Sequence, residues 1–169
     1  TAENCRYPVR KTQENRDDRT RPANIIITCT DNIRSRLDLW RLLKNSRNTT
    51  ATDHTTPFYW MDFGNAQLTG QVLIGTIRGK ITQPSSKEFI AMPKMNVITE
   101  EVRYSTLRDT DSGPSCSLAE ALHKQDLFIN SMLAQAGCEI LWKMIREGRT
   151  LYRGAYLNME TLRLTPIPV

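Results

Sequence analysis

The amino-acid sequence predicts an α/β fold, and three stretches carry that reading. Asn24-Ile-Ile-Ile-Thr-Cys-Thr30 is a short β-branched run of the kind that suits a strand buried on both faces of a helix-covered sheet. It gives way at Asp31-Asn32, residues suited to a turn or a helix cap, to apolar residues at Ile33, Leu37, Leu39, Trp40, Leu42 and Leu43, whose spacings of three and four indicate a helix. Two further strand-like runs, then a long helical pattern and an alternating C-terminal pair, complete an order of strand, helix, strand, strand, long connection, helix and hairpin.

Taken in order, residues 1–23 are polar and charged, and read as a connector or the remnant of a preceding half; Tyr7-Pro-Val-Arg10 within them suits a strand end. Residues 45–57 are an Asn/Thr-rich loop. Residues 58–63 form a second apolar strand closed by Gly64-Asn65, with Asp62 read as a turn-closing residue. Residues 69–77 form a third, in which Gly70 and Gly75 mark bulges or close packing. Residues 78–113 are weakly patterned and punctuated by Pro84, Pro93 and Gly113, which indicates a long crossover or lid-like segment with short elements at most.

A helix is expected from about residue 118 to 147. Leu122, Ile129, Leu133, Ala136, Ile140 and Met144 form its stripe, and Phe128, Met132 and Trp142 widen it. Gly137 is a tolerated break, at a cost of ~1 kcal/mol relative to Ala. Lys143 and Arg146 suit the last turn, and Gly148 the C-terminal cap. Residues 152–158 and 161–165 alternate as a terminal β-hairpin, with Met159-Glu160 between them.

At 169 residues the chain is long enough for one domain with a core. The net charge of +5 is spread over scattered arginines rather than a basic stripe, which reads as a solvated surface and argues against nucleic acid. No run of about 18 apolar residues suggests a membrane span, and no signal peptide is evident. The chain begins with Thr, so a processed or truncated product is expected. Cys5, Cys29, Cys116 and Cys138 include no CxxC pair, which points to reduced thiols in a cytoplasm and away from zinc. Cys5, Cys29 and Cys138 read as tail, strand-core and helix-face residues; His54 and His123 read as ordinary polar residues.

Two positions carry candidate chemistry. Cys116 stands just ahead of Ser117-Leu-Ala-Glu120, a capping-box pattern, and a thiol at a helix N-terminus has its pKa lowered from ~8.5 toward neutrality. A thiolate there is a nucleophile. No neighbouring base is evident and Glu120 opposes ionisation, so the pattern alone favours a structural cysteine. Asp31, at the tip of a strand in a polar corner before a helix, suits either an N-cap or a Mg²⁺ ligand. Ligands in such sheets sit beyond the carboxyl ends of the strands, where Asp31 and Asp62 both fall. Neither GxGxxG after a strand nor GxxxxGK[ST] occurs, so no phosphate-cradling loop is offered.

Ile27-Thr-Cys-Thr-Asp-Asn-Ile-Arg-Ser-Arg36 resembles the strand-plus-aspartate motif of ThiF/MoeB-like, ubiquitin-activating-type adenylating enzymes. Cys116 ahead of its helix is similar to their crossover-loop cysteine. More closely, Tyr59-Trp-Met-Asp-Phe-Gly-Asn65, Thr69-Gly-Gln-Val72, Pro114-Ser-Cys-Ser-Leu-Ala-Glu-Ala-Leu122, Lys124-Gln-Asp-Leu-Phe-Ile-Asn130 and Tyr156-Leu-Asn-Met-Glu-Thr-Leu162 resemble the ThiF family of PRTRC plasmid systems, over roughly residues 24–169.

The resemblance implies a Rossmann-like sheet with flanking helices and a C-terminal antiparallel hairpin. It implies binding of MgATP and adenylation of the C-terminal carboxylate of a ubiquitin-like or sulfur-carrier protein, with acyl capture on a cysteine in some members. Asp31 would then help hold Mg²⁺ and the ATP phosphates, Cys116 would be the acceptor thiol, and Arg36 would be structural. The family's glycine-rich loop, ribose-binding acid, phosphate-contacting Arg and Lys, and zinc CxxC pairs are not in this sequence. Residues 24–169 are therefore expected to be the C-terminal part of a ThiF-type domain whose nucleotide-binding half is missing, inactive alone. A non-catalytic module that binds a protein or forms a homodimer is the alternative.

Overall fold

A computed structural model describes residues 24–30, 32–45, 57–77, 94–104, 107 and 126–169. They form a mixed α/β unit: β1 (Ile25–Thr28), α1 (Ile33–Asn45), β2 (Tyr59–Asn65), β3 (Thr69–Thr76), α2 (Ile98–Glu101), α3 (Ile129–Arg146), β4 (Tyr152–Asn158) and β5 (Arg163–Pro168). The strands lie side by side as one open sheet in the order β1-β2-β3-β4-β5. β1 and β2 are parallel, as a strand–helix–strand unit requires, and the other pairs are antiparallel.

Strand alternation gives the sheet two faces. On one, α1 lays its inward residues over β1 and β2. Leu43 and half-buried Ile33, Leu37 and Trp40 pack with Trp60, Leu73, Ile77, Ile98 and Tyr104. Trp40 stacks on Trp60, with ring centroids 6.1 Å apart and planes 14° off parallel. On the other face α3 packs against Met61, Val72, Ile74 and Ala155 through Ile140, and against Leu157 through Ile129 and Leu133.

Asn32 is the N-cap of α1: its Oδ1 accepts the Ser35 N–H at 2.8 Å. Gly148, with φ +68°, sits just past α3, where the left-handed conformation closes a helix end, and Lys143 and Arg146 occupy the last turn as expected. The terminal hairpin is present, with β5 running further than the alternating pattern suggested. Gly70 and Gly75 are close-packing positions: a Cβ on Gly70 would sit 2.5 Å from Leu133 Cδ1, and one on Gly75 2.5 Å from the Asn96 carbonyl.

Four expectations need correction. β1 is not buried on both faces: it is the end strand of the described sheet, and Ile27 is 51% exposed on the face that α1 does not cover. Cys29, just beyond it, is exposed rather than a strand-core residue. The last long helix is not continuous from 118, because residues 126–128 are not helical. Asp126 Oδ1 takes the Phe128 N–H at 2.9 Å, and its own N–H donates to Gln67 O at 2.8 Å, so a turn precedes α3. Phe128, Met132 and Trp142 do not widen the buried stripe; all three are exposed, and Gly137 takes a core position instead.

Residues 1–23, 46–56, 78–93 and most of 105–125 lie outside the described residues, and with them the strand end at 7–10, His54, His123, Cys5, the capping box at Ser117 and Glu120, and most of the long crossover. The part of the crossover that is described holds one short helix, α2.

Candidate functional site

Apolar strand β2 carries one acid, Asp62, and it is fully buried in mid-strand, not turn-closing. Alternation puts it on the α1 face beside Trp60, in register with Thr28 of β1. The inward stripe of α1 runs Ile33, Arg36, Trp40, Leu43, so its second member is an arginine buried to 7% exposure. Arg36 Nε donates to both carboxylate oxygens of Asp62, at 2.9 and 3.1 Å, and Nη2 donates to Phe63 O at 2.7 Å.

Two hydroxyls complete the acid's shell. Tyr104 OH donates to Asp62 Oδ2 at 2.6 Å, and Thr28 Oγ1 donates to Oδ1 at 2.5 Å while accepting the Trp60 indole N–H at 2.8 Å. The Tyr104 phenol is pushed well above its ordinary value by burial first, then by the Asp62 charge and hydrogen bond, with Arg36 opposing. The Cys29 thiol is also raised, by partial desolvation and then the Asp62 charge, against Arg36.

A carboxylate offers about four lone-pair sites. The single Nε–H of Arg36 is shared between the two oxygens and each hydroxyl donates once, so both oxygens of this fully buried acid are engaged inside the protein. It ties β1, α1, β2 and the segment after α2 to one point.

That point is the base of an open cleft of ≈ 840 Å³. Its floor is the polar half of the α1 face of the sheet, with Gly64, Gln71, Tyr156 and Thr165; Ile33 and Arg36 stand on one side, and Val102, Tyr104 and Leu107 on another. Asn65 and Ala66 place it at the carboxyl end of β2, where a parallel strand–helix–strand unit is expected to bind ligands. None of the described lining residues is an Asp, Glu, His or Cys. Arg36 is already paired with Asp62, so Arg163 is the lining cation without a described acidic partner. The described lining therefore suits a ligand that presents hydrogen-bond acceptors and negative charge.

Asp31 and Cys116 lie outside the described residues, so the structure neither brings them together nor separates them. Their neighbours are informative for Asp31 alone: Thr30, at the tip of β1, has a buried hydroxyl without a hydrogen-bond partner among the described residues. Among those residues no group of three or more His, Cys, Asp or Glu could hold a metal, and no helix is long and apolar enough to cross a membrane.

The sequence pattern understated Asp62 and Arg36. The available signal was a lone charge of each sign inside two apolar patterns, a helical stripe and the strand that follows it, which the strand–helix–strand connection makes neighbours. Tyr104 gave no signal, because its partner depends on how the crossover folds back. No family model matches the chain, and no curated protein matches it.

Proposed function

We propose that this chain is the acyl-substrate side of a ThiF/MoeB-like adenylating enzyme, as its motifs suggest. One observation carries the reading: the acid-free, arginine-bearing cleft at the carboxyl end of the parallel β1–α1–β2 unit, into which the C-terminal carboxylate of a ubiquitin-like or sulfur-carrier protein would fit. Arg163 would pair with the carboxylate, while Gln71, Tyr156 and Thr165 offer hydrogen bonds to the chain leading to it. β1 ends at this same end of the sheet, three residues before position 31 in the sequence.

The fit to MgATP is partial. From this chain, Asp31 and the unpartnered Thr30 hydroxyl are the groups that would approach Mg²⁺ and the phosphates; a glycine-rich loop is not among its residues. The nucleotide would supply the adenylyl group that activates the carboxylate, with pyrophosphate as the leaving group and AMP released when a thiol takes the acyl group. The described residues hold and orient the acyl partner, and Cys116 is the proposed thiol that receives the acyl group.

The experiment is ATP–pyrophosphate exchange by the full-length protein with a carrier protein bearing a free C-terminal carboxylate. Exchange should require the free acid and fall about a hundredfold in Asp31→Ala, the usual loss when one preorganised electrostatic group is removed. Exchange indifferent to Asp31→Ala removes that residue from the site, and absence of exchange with any carrier removes the enzyme reading. Cys116→Ser should abolish a thiol-sensitive adduct while leaving exchange intact.

A second reading, a non-catalytic dimerisation module, is favoured by Trp142 and Ile145 on α3, 55% and 74% exposed. Sedimentation that stays monomeric across micromolar concentrations dismisses it.

A further inference from the structure

We infer that the floor of the cleft holds a second binding point, a notch over Gly64 that takes a backbone carbonyl oxygen of an extended chain whose terminal carboxylate is held by Arg163. The notch rests on the reading above in one respect, the pairing of Arg163 with that carboxylate.

Neither packing nor backbone conformation accounts for a glycine at position 64. A Cβ on Gly70, Gly75, Gly137 or Gly154 would overlap a neighbouring atom, and Gly148 has a left-handed φ of +68°. Gly64 lies inside β2, where a glycine weakens a strand, and its φ is not positive. A Cβ there would meet Arg36 Nη2 at 3.4 Å and Gln71 Nε2 at 3.7 Å, which are ordinary van der Waals distances. An alanine would therefore fit. The glycine instead leaves open, on the cleft face, the space that borders two nitrogen donors.

Both donors have N–H groups to spare. A guanidinium carries five. Arg36, 7% exposed, shares its Nε–H between the Asp62 oxygens and gives one Nη2 N–H to Phe63 O, and the described residues take no other. The Gln71 side-chain amide has no hydrogen-bond partner among the described residues. Charge decides what each point accepts. Asp62 already neutralises Arg36, so the notch offers donors without net charge and suits an amide carbonyl. Arg163 has no described acidic partner and suits the carboxylate.

The sheet register joins the two points. Gly64, Gln71, Tyr156 and Thr165 are cross-strand partners in one row over β2, β3, β4 and β5. Arg163 stands two residues from Thr165 on the same face of β5. At the usual strand spacing the row from Gly64 to Arg163 spans about 15 Å, or roughly four extended residues. A chain lying across the strands, with its carboxylate on Arg163, brings to the notch the carbonyl about four residues before its C-terminus.

NMR titration of the ¹⁵N-labelled whole chain with acetyl-capped oligo-alanine free acids, from dipeptide to hexapeptide, tests this. The Arg163 Nε–H should shift with every length. The Gly64 amide and the Gln71 side-chain amide should shift only once the peptide reaches about four residues, where affinity should rise about tenfold for the added hydrogen bonds. Gly64→Ala should lose that rise, bind the shorter peptides as the wild type does, and melt no lower. A response at Arg163 alone, or a response at Gly64 that is equal for the dipeptide, overturns the notch and leaves the carboxylate reading standing. No response at either point, or an equal response to the C-terminal amides of the same peptides, overturns both. A Gly64→Ala protein that keeps the rise overturns the notch, and so does one that melts lower or fails to fold, because packing would then require the glycine.

Discussion

Replacing Arg36 by Met is the sharpest probe of the buried network. Met fills much of the volume of the aliphatic stem, so the change is chiefly electrostatic. It removes the bifurcated Nε–H bond to Asp62 and the bond to Phe63 O, and leaves a carboxylate of zero exposure with two hydroxyl donors and no counter-charge. Breaking a buried pair from one side costs about 3–5 kcal/mol, against a domain stability of about 5–15 kcal/mol. Urea unfolding followed by tryptophan fluorescence should show the midpoint fall sharply with little change in slope.

The double variant Arg36→Met/Asp62→Leu sets the interpretation. It removes the stranded charge but also the acceptor of Tyr104 and Thr28, so recovery should be partial, with about 1–3 kcal/mol still missing per unsatisfied buried hydroxyl. A loss below about 1 kcal/mol in the single variant would match an exposed ion pair and refute the claim that Asp62 and Arg36 are a buried, mutually dependent pair. A double variant less stable than the single one would refute the assignment of the cost to stranded charge.

Three other outcomes follow from the same geometry. Tyr104 has its folded pKa raised above 10, so the folded state keeps a proton that the unfolded state loses; its contribution is fully present below pH 10 and declines as pH rises above it, by at most about 1.4 kcal/mol per pH unit. Denaturant midpoints between pH 9 and 11 should fall more steeply in the wild type than in Tyr104→Phe, and equal slopes would refute the assignment. Gly137→Ala gains about 1 kcal/mol of helix propensity, but its Cβ would overlap the Phe63 ring and lie 3.1 Å from Val72 Cγ2; overpacking costs of about 1–3 kcal/mol should leave the net at or below zero, read as an unchanged or lowered Tm. Leu162, 80% exposed at φ 51° in the β4–β5 turn, stands in a conformation that costs a side-chain-bearing residue about 1–2 kcal/mol, so Leu162→Gly should raise Tm, and a fall would show that the leucine makes a compensating contact.

The elements legible in the sequence were those whose patterns are local. α1 follows from apolar spacings of three and four, β2 and β3 from short apolar runs, and the hairpin of β4 and β5 from alternation around a polar turn. What failed depended on neighbours distant in the chain. The burial of β1 depends on what lies beside it, not on its three isoleucines. The start of α3 was set by an aspartate side chain capturing a backbone N–H, which helical spacing on either side of it conceals. The site split the same way: position 31 could be singled out by its place at a strand tip, whereas the partners of Asp62 come from three separate elements and no spacing rule relates them.

The placement of the network says what it is for. A buried ion pair contributes little net stability compared with apolar residues of equal volume, so stability alone is a poor reason for Arg36 and Asp62 to interrupt two apolar patterns. What the pair does supply is direction: an apolar contact tolerates sliding, while three donors converging on one carboxylate do not. Through Asp62, β1, α1, β2 and the residues after α2 meet in one geometry at the base of the cleft, and all but β1 also line it. Of the three donors Arg36 alone carries charge, so its loss strands the acid, whereas the loss of either hydroxyl leaves the ion pair in place.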